Sequence, residues 1–489
     1  MLSAYPLLLL GLAALVVLSW KRRARDRYYG LPTVGRPDDT DFRNALEQGA
    51  RKYPDDPYVI PDDPPMVILP HRMVERVKSL PEAQASADKN VYRRGLGQYT
   101  DLGNPLPALF DGIRVDLTRH IRDLIPGMQE AIALGFDDVM DSAGGGAKHA
   151  AVCVFPAMKR IVAHSSAAAF VGPELARDGA WIAATMQYST DLKMTFAAFH
   201  RIAPLLRPLA APFLFRRLGI SERRRAVEQM LDHHQNQAVR PGEPERLIDW
   251  VWARLSPHQR TPQMVARTQL RAALAGSDTV AHTLTNAVYD LAAHPDCAQE
   301  LRAEIEATAP GVWDMARLKK LVKMDSFLRE SARLHPIFMT AVGRVLTAPL
   351  PLDDGRPALP AGAVVGFSQN LAHFDASTQP GPADRNAFDP WRFSRLRSAA
   401  APADDANSNN ADARLLFTTT GDSNLTFGHG VHACPGRFFA DAEIKLILVH
   451  LLLAYDVALP EGTVRPRDTY VKFTVAVDRS AAILFKPRL

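Results

Sequence analysis

One cysteine in this 489-residue chain stands in a setting suited to holding a metal. It lies in LTFGHGVHACPGRFFADAEIKLILVHLL, residues 425–452, which reads as a loop running into a helix. Gly428, Gly430 and Gly436 give the loop a backbone free to take positive φ and to curl its N–H groups around one sulfur. Pro435 stands where the first turn of a helix tolerates it. The helix that starts there points the positive end of its dipole at Cys434, and both effects favour a thiolate, the form a metal ligand must take. Phe427 is placed to wall the sulfur off from water. Three other readings stay open at this stage. A lone cysteine is often just a small buried hydrophobe. His429, His432 and Cys434 together suggest zinc, although no CxxC or second histidine pair supplies a fourth ligand. A glycine loop before a helix also suits phosphate, but no Lys-Ser/Thr follows.

Two upstream stretches carry further polar groups at telling positions. In MDSFLRESARLHP, Glu330 and Arg333 are three residues apart on one helix face, where they can pair. Such a pair on an exposed helix contributes less than about 1 kcal/mol. In LRAALAGSDTVAHTLTNAVYDLAAHP, residues 270–295, an apolar stripe through Leu270, Leu274, Ala281, Leu284, Val288 and Leu291 breaks at Ser277 and Asp278. Polar groups on the core side of a helix cost free energy unless they have a partner or a task. The competing explanation is a kink, with Ser and Thr bonding back to the helix.

The elements that must position these groups are mostly helical. Windows at 222–235, 261–293, 299–307 and 319–334 show the 3/4 apolar spacing of amphipathic helices. Short β-type runs at 58–60 and 66–69, and at 345–352 and 363–367, are divided by turn-rich segments and predict hairpins; TYVKFTVAV, residues 469–477, predicts a closing one. Residues 398–413 and Gly144–Gly146 are loops by composition. The fold class expected is mainly α with small β-sheets, one large domain over 41–489.

Residues 2–20 carry no charge, and at about 1.5 Å per residue they give roughly 28 Å of helix against a hydrocarbon core of about 30 Å. The basic cluster Lys21–Arg27 follows this stretch, the reverse of a cleaved signal peptide, so the expectation is a single-pass transmembrane anchor at 1–20 with the body on the cytosolic side. Residues 21–40 then form a basic, Pro/Gly-rich linker. That cluster holds five cations and one anion, nearly all of the net charge of +5, so nothing points to a nucleic-acid-binding face. Three cysteines make no disulfide framework and fit a reducing compartment.

FGHGVHACPG resembles the haem-binding signature of the cytochromes P-450, F-x-x-G-x-R-x-C-x-G. Phe427, Gly430, Cys434 and Gly436 take the family's positions, and His432 stands where an arginine is usual, a form similar to fungal members. AGSDT at 275–279 resembles the oxygen-activating motif, and FDPWRF at 388–393 resembles the segment completing a Glu-Arg-Arg cluster. The resemblance implies haem b with Cys434 as axial ligand and His432, Arg344 and Arg114 as propionate contacts. It implies Gly276 opening space above the iron, Asp278 and Thr279 in proton delivery to bound oxygen, and Glu330, Arg333 and Arg392 as a structural cluster behind the haem. The implied reaction inserts one oxygen atom of O2 into a lipophilic small molecule, with electrons from a separate NADPH-dependent reductase, at the endoplasmic reticulum membrane, in fungal secondary metabolism. Arg437 and Lys445 are candidates for the reductase-docking face. Residues 337–342, Phe473, Thr474 and 194–199 are candidates for the substrate pocket. Runner-up expectations are a haem-thiolate isomerase, dehydratase or peroxide-using enzyme, or a non-catalytic haem sensor.

Overall fold

A computed structural model describes residues 28–144, 149–202, 204–235, 243–308, 311–352, 355–374, 384–400 and 413–488. The expected anchor, residues 1–20, and the basic cluster at 21–27 lie outside the described residues, and among these no helix is long and apolar enough to cross a membrane. Helices dominate. Those used below, numbered in chain order, are α1 (Ala87–Arg94), α2 (Thr118–Ser142), α3 (Val154–Phe170), α4 (Gly179–His200), α5 (Arg207–Arg217), α6 (Ile220–Gln235), α7 (Pro262–Ala293), α8 (Val322–Leu334), α9 (Gln369–Phe374), α10 (Arg392–Ala400) and α11 (Arg437–Ala454).

The central element is α7, 32 residues and so roughly 48 Å long. Its start is set locally: the Thr261 side chain accepts the Met264 N–H at 3.2 Å, and Pro262 occupies the first turn. Its end comes at His294, just before Pro295, where the α conformation is disfavoured. α3, α4 and α6 pack against it, and α2 packs on α3 and α11. α11 buries Ile444, Leu446, Ile447, Leu448, Val449, Leu451 and Leu452, so the body of this helix runs through the core.

Among the described residues ten short strands form three sheets: β1 (Tyr58–Ile60), β2 (Met66–Ile68), β3 (Ala85–Ser86), β4 (Ala150–Cys153), β5 (Thr340–Leu346), β6 (Val364–Ser368), β7 (Tyr455–Ala458), β8 (Thr469–Val471), β9 (Thr474–Ala476) and β10 (Ala482–Pro487). The first sheet has the order β1-β2-β6-β5-β3, the second β4-β10-β7, and β8-β9 is the closing hairpin. The strand expected at 345–352 instead spans 340–346. Pro349 and Pro351 supply no N–H to a ladder, so pairing cannot continue there, and only Leu350 bridges back to Leu359. Within β5 the register shifts between Ala341 and Arg344, with Val342 at φ 52, the sign of a bulge that re-aims the following residues. A Cβ at Gly343 would lie 2.7 Å from the Asn90 side-chain amide of α1, which would have to shift.

The described part of the expected linker is docked onto the body. Val34 N–H donates to the Val59 carbonyl at 2.9 Å, Val59 N–H to the Pro32 carbonyl at 2.8 Å, and Tyr28, Tyr29 and Leu31 pack on the sheet core. The chain therefore leaves the globule beside β1. Residues 398–400 close α10 rather than opening a loop, and 401–412 lie outside the described residues.

Phe136 of α2 is fully buried and stacks on His450 of α11 at 4.5 Å and on Tyr455 at 5.7 Å. Phe136→Ala leaves a cavity at the α2–α11 contact and is expected to cost about 3–5 kcal/mol, read as a lower urea midpoint by far-UV circular dichroism.

Candidate functional site

The cysteine loop is held by its own backbone. Cys434 N–H donates to the Phe427 carbonyl at 2.8 Å, Ala433 N–H to Gly430 at 3.0 Å and Gly428 N–H to Leu425 at 2.9 Å. Gly430, at φ 77, is forced by more than its turn: a Cβ there would come within 2.5 Å of the Lys78 carbonyl. The Cys434 sulfur accepts the backbone N–H groups of Gly436 and Arg437 at the start of α11. Burial nevertheless pushes the thiol up from its ordinary range, against these donors and the Arg437 charge. The expected thiolate thus does not follow from the polypeptide alone: the donors are present, but desolvation outweighs them. Phe427 meets Phe417 edge-on at 5.1 Å and packs on the helical core.

The two loop histidines face different partners. His429 Nε2 lies 3.0 Å from both Glu75 Oε1 and Lys78 Nζ, whereas His432 Nε2 lies 3.1 Å from Glu82 Oε1. Among the described residues no group of three metal-ligating side chains comes together, so His429, His432 and Cys434 are not gathered as a zinc site. Beside His432 is Arg344, only 3% exposed. Its Nη1 donates to the Gly343 carbonyl at 2.9 Å, while Nε and Nη2 are buried with no partner. Burial pushes its pKa down to about 10, with Glu82 opposing. A buried cation with two unused, adjacent donors is costly unless an anion meets them. Arg114 takes no part. The π-helical turn Gly112–Leu117 leaves it 65% exposed and paired with Asp111 at 2.8 Å, and Ile113 is the residue that approaches Gly436.

Behind the loop, Glu330 of α8 is fully buried and receives both Arg333 donors at 2.8 Å, Arg392 Nε at 3.1 Å and the Asp389 N–H at 3.0 Å. Arg333 also donates to the His373 and Arg385 carbonyls. The link to the cysteine loop runs through a residue that spacing did not disclose. His373 of α9 has Nδ1 3.3 Å from the Arg333 carbonyl, and its Nε2 accepts the Leu425 N–H at 3.3 Å. Gln369 donates to the Leu425 carbonyl at 2.7 Å, so α9 holds Leu425 at both its N–H and its carbonyl. Full burial, with the nearby Arg333 charge, pushes His373 down to about 3, so the ring is neutral, with Nδ1 as donor and Nε2 as acceptor. The only hint in the sequence is the polar run Ser368–Gln369–Asn370 after an apolar strand.

On α7, a Cβ at Gly276 would meet nothing within 4 Å, and the Thr279 hydroxyl donates to the Ala275 carbonyl at 2.8 Å. Asp278 points elsewhere, between α3 and α4, to Lys159 at 3.2 Å, Lys193 at 2.9 Å and the Ser189 hydroxyl. Its burial favours the neutral acid, but the two ammonium groups and Ser189 win, holding its pKa below the usual carboxylate range. The cost anticipated for a polar break in the apolar stripe is thus met at Asp278 by ion pairs, while the buried Ser277 hydroxyl has no protein partner.

Several expected positions are occupied differently. Lys445 is buried between Asp325 at 2.8 Å and Asp441 at 2.9 Å, which raise its pKa against burial, so it forms no docking face. Arg437 donates to the Cys434 carbonyl at 3.0 Å. Phe473 is core, 4.9 Å from Phe42 and beneath the Arg94 guanidinium. Thr474 is exposed in the tail hairpin; Phe199 is fully buried, stacked on Tyr99 at 4.3 Å; Met339 and Val342 are buried, and Phe338 and Met194 are half exposed.

A sulfur at a helix start, a buried arginine with unused donors and a long helix carrying a hydroxyl define a haem-thiolate type of site, and comparison with known proteins agrees. A family profile described as Cytochrome P450 matches residues 178–480. The cytochrome P450 monooxygenase gliF of Aspergillus fumigatus is 32% identical, covering 94% of this chain and 92% of its own. BOA7 of Botryotinia fuckeliana, also a cytochrome P450 monooxygenase, is 33% identical over 97% and 94%, and an ent-kaurene oxidase of Gibberella intermedia is 30% identical over 91% and 83%. A retinoic acid-bound cyanobacterial CYP120A1 superposes with a TM-score of 0.69 at 17% identity, over 94% of this chain and 99% of that one. This chain belongs to the cytochrome P450 family, and it is an oxygen-incorporating monooxygenase.

Because His373 is neutral in the fold and takes up a proton when unfolded below pH 6.5, it contributes stability above that pH which is lost as pH falls toward about 3. His373→Phe removes the Leu425 acceptor and is expected to cost about 1–3 kcal/mol at neutral pH. The parent's advantage over the variant should shrink between pH 6.5 and about 3 in urea titrations; an advantage that stays constant would contradict the neutral-histidine assignment.

Proposed function

We propose that this chain is a membrane-anchored haem-thiolate monooxygenase in which Cys434 is the axial ligand of haem b, working with a separate NADPH-dependent reductase on a lipophilic small molecule of fungal secondary metabolism. The observation that carries the reading is Arg344: buried, with Nε and Nη2 unpartnered beside His432, it has the chemistry a haem propionate would satisfy. The two backbone N–H groups that donate to the Cys434 sulfur fit the same group, since they stabilise thiolate charge once a cation offsets desolvation. A haem bound there would supply dioxygen activation, with the thiolate donating electron density to iron.

The chain's own residues then have distinct tasks. Phe427 keeps water from the sulfur. Gly276 leaves its side of α7 open, and the Thr279 hydroxyl, which donates to Ala275, keeps its lone pairs available to accept a hydrogen bond on that side. Asp278 stays anionic between Lys159 and the half-exposed Lys193, so it moves protons only as those ion pairs rearrange, linking α7 to the surface at α4. Glu330, Arg333 and Arg392 hold the loop through His373 and do no chemistry.

Membrane attachment is supported from two sides. The apolar stretch 2–20 with its trailing basic cluster is long enough to span. On the body, Leu205, Leu206, Leu209 and Phe213 are 91%, 56%, 72% and 78% exposed on and before α5, with exposed Arg216 and Arg217 at the end of that helix. Such an apolar patch bordered by cations suits an anionic bilayer surface, with the endoplasmic reticulum as the membrane proposed. A terpenoid, polyketide or indole alkaloid is the substrate class proposed, and the relative named ent-kaurene oxidase supports the first of these.

Thr279→Ala is expected to retain NADPH and oxygen consumption with an added reductase while product per oxygen consumed falls by roughly a hundredfold, the lower end of what a positioned proton-transfer group contributes. Unchanged coupling would remove Thr279 from the mechanism. Haem binding without any reductase-dependent turnover would favour a sensor.

A further inference from the structure

The strand that presents Arg344 is paired with one that carries a carboxylate to the same place. β3 runs antiparallel to β5 with Ser86 opposite Val345 and Ala85 opposite Leu346. The turn entering β3 is closed by the N–H groups of Gln84 and Ala85 on the Pro81 carbonyl, at 2.8 and 3.0 Å, and is tied back beyond β5 by Thr347 N–H on the Gln84 carbonyl at 2.9 Å. Glu82 sits in that turn. Its Oε1 accepts the Ala87 N–H, the first of α1, at 2.8 Å. The same oxygen lies 3.1 Å from His432 Nε2, off the line of a hydrogen bond. Burial raises the Glu82 pKa, but hydrogen bonds from the Ser86 side chain and the Ala87 and Asp88 N–H groups hold it below the usual range, so it is anionic at neutral pH. Glu82 is also the charge that opposes desolvation of Arg344. It therefore acts on both basic groups that face the proposed propionate seat, and the backbone of α1 and β3 fixes its position.

We propose that Glu82 acts on the haem site through Arg344, adding a fixed negative charge beside the propionate seat that lowers the reduction potential of the bound haem. A negative charge near the iron favours the ferric state, which carries one more positive charge than the ferrous, and the partly buried setting limits screening by salt. The proposal rests on Arg344 and His432 receiving a propionate. Glu82 itself touches neither the sulfur nor the open side of α7, so its role is electrostatic and works through its neighbours.

The test is a spectroelectrochemical titration of the purified, haem-loaded full chain. Glu82→Gln keeps the side-chain length and an acceptor for Ala87 N–H but loses the charge; its ferric–ferrous potential is expected to shift upward with the ferric absorption spectrum unchanged. Glu82→Asp retains the charge and is expected to stay close to the parent. Glu82→Ala, a second neutral variant and the one measured if the glutamine form does not fold, is expected to shift in the same direction. A parent potential in both neutral variants overturns the proposal. So does an equal upward shift in all three, which would trace to lost geometry and not to charge. A folded Glu82→Gln protein that fails to retain haem overturns it too, since retention is left to Cys434 and Arg344. A parent chain that takes up no haem is a separate outcome, visible in the same spectra, and would remove the functional reading beneath it.

Discussion

A sulfur that must carry negative charge is placed where burial disfavours that charge, and the rest of the structure is arranged around this conflict. Two backbone N–H groups at the start of α11 and the Arg437 cation pull toward thiolate, yet desolvation wins within the polypeptide. The site is thus incomplete as protein chemistry and becomes favourable only with a cation on the sulfur. The same pattern recurs at Arg344, where two buried donors have no protein acceptor. In the function proposed, an anion there and a cation at Cys434 would be parts of a single ligand, iron bound in a porphyrin with propionate side chains, which would meet both electrostatic deficits.

Holding the loop steady falls to a buried network some distance behind it. A fully buried Glu330 bridges two guanidinium groups, a geometry in which removing the carboxylate leaves two buried cations without their shared partner. The load passes through Arg333 to His373 and from there to the backbone of Leu425, at the head of the cysteine loop. Because His373 and Gln369 grip that residue from one short helix, the orientation of α8 is transmitted to the loop without any contact between Glu330 and the sulfur. Asp278 shows the opposite arrangement, a buried carboxylate tied to a half-exposed lysine, suited to movement where the Glu330 cluster suits rigidity.

What was legible in the sequence was what local rules decide. α7 begins at Thr261-Pro262 and ends ahead of Pro295, so its expected bounds of 261–293 nearly coincide with the helix. The Glu330–Arg333 pair follows from helical spacing, and the tail hairpin from alternation. The failures share a cause. Arg114 was expected at the site, but a π-helical turn rotates it to the surface. Lys445 was a candidate for the docking face, but Asp325, 120 positions away in the chain, meets it in the core. His373 and Glu82 matter only because of what sheet pairing and loop packing bring beside them, and no spacing in the chain encodes those encounters. Phe473 and Phe199 illustrate the general ambiguity of aromatic residues, which spend their area in the core as readily as on a ligand.

The central claim is the bond between the Cys434 sulfur and haem iron. The most direct measurement is the absorption spectrum of the reduced, carbon monoxide-treated protein, recorded for the parent and for Cys434→Ser. The parent should show the red-shifted Soret maximum of thiolate ligation, and the serine variant should lack it whether or not it retains haem. A parent spectrum without that maximum, or a serine variant that keeps it, would contradict the assignment of Cys434.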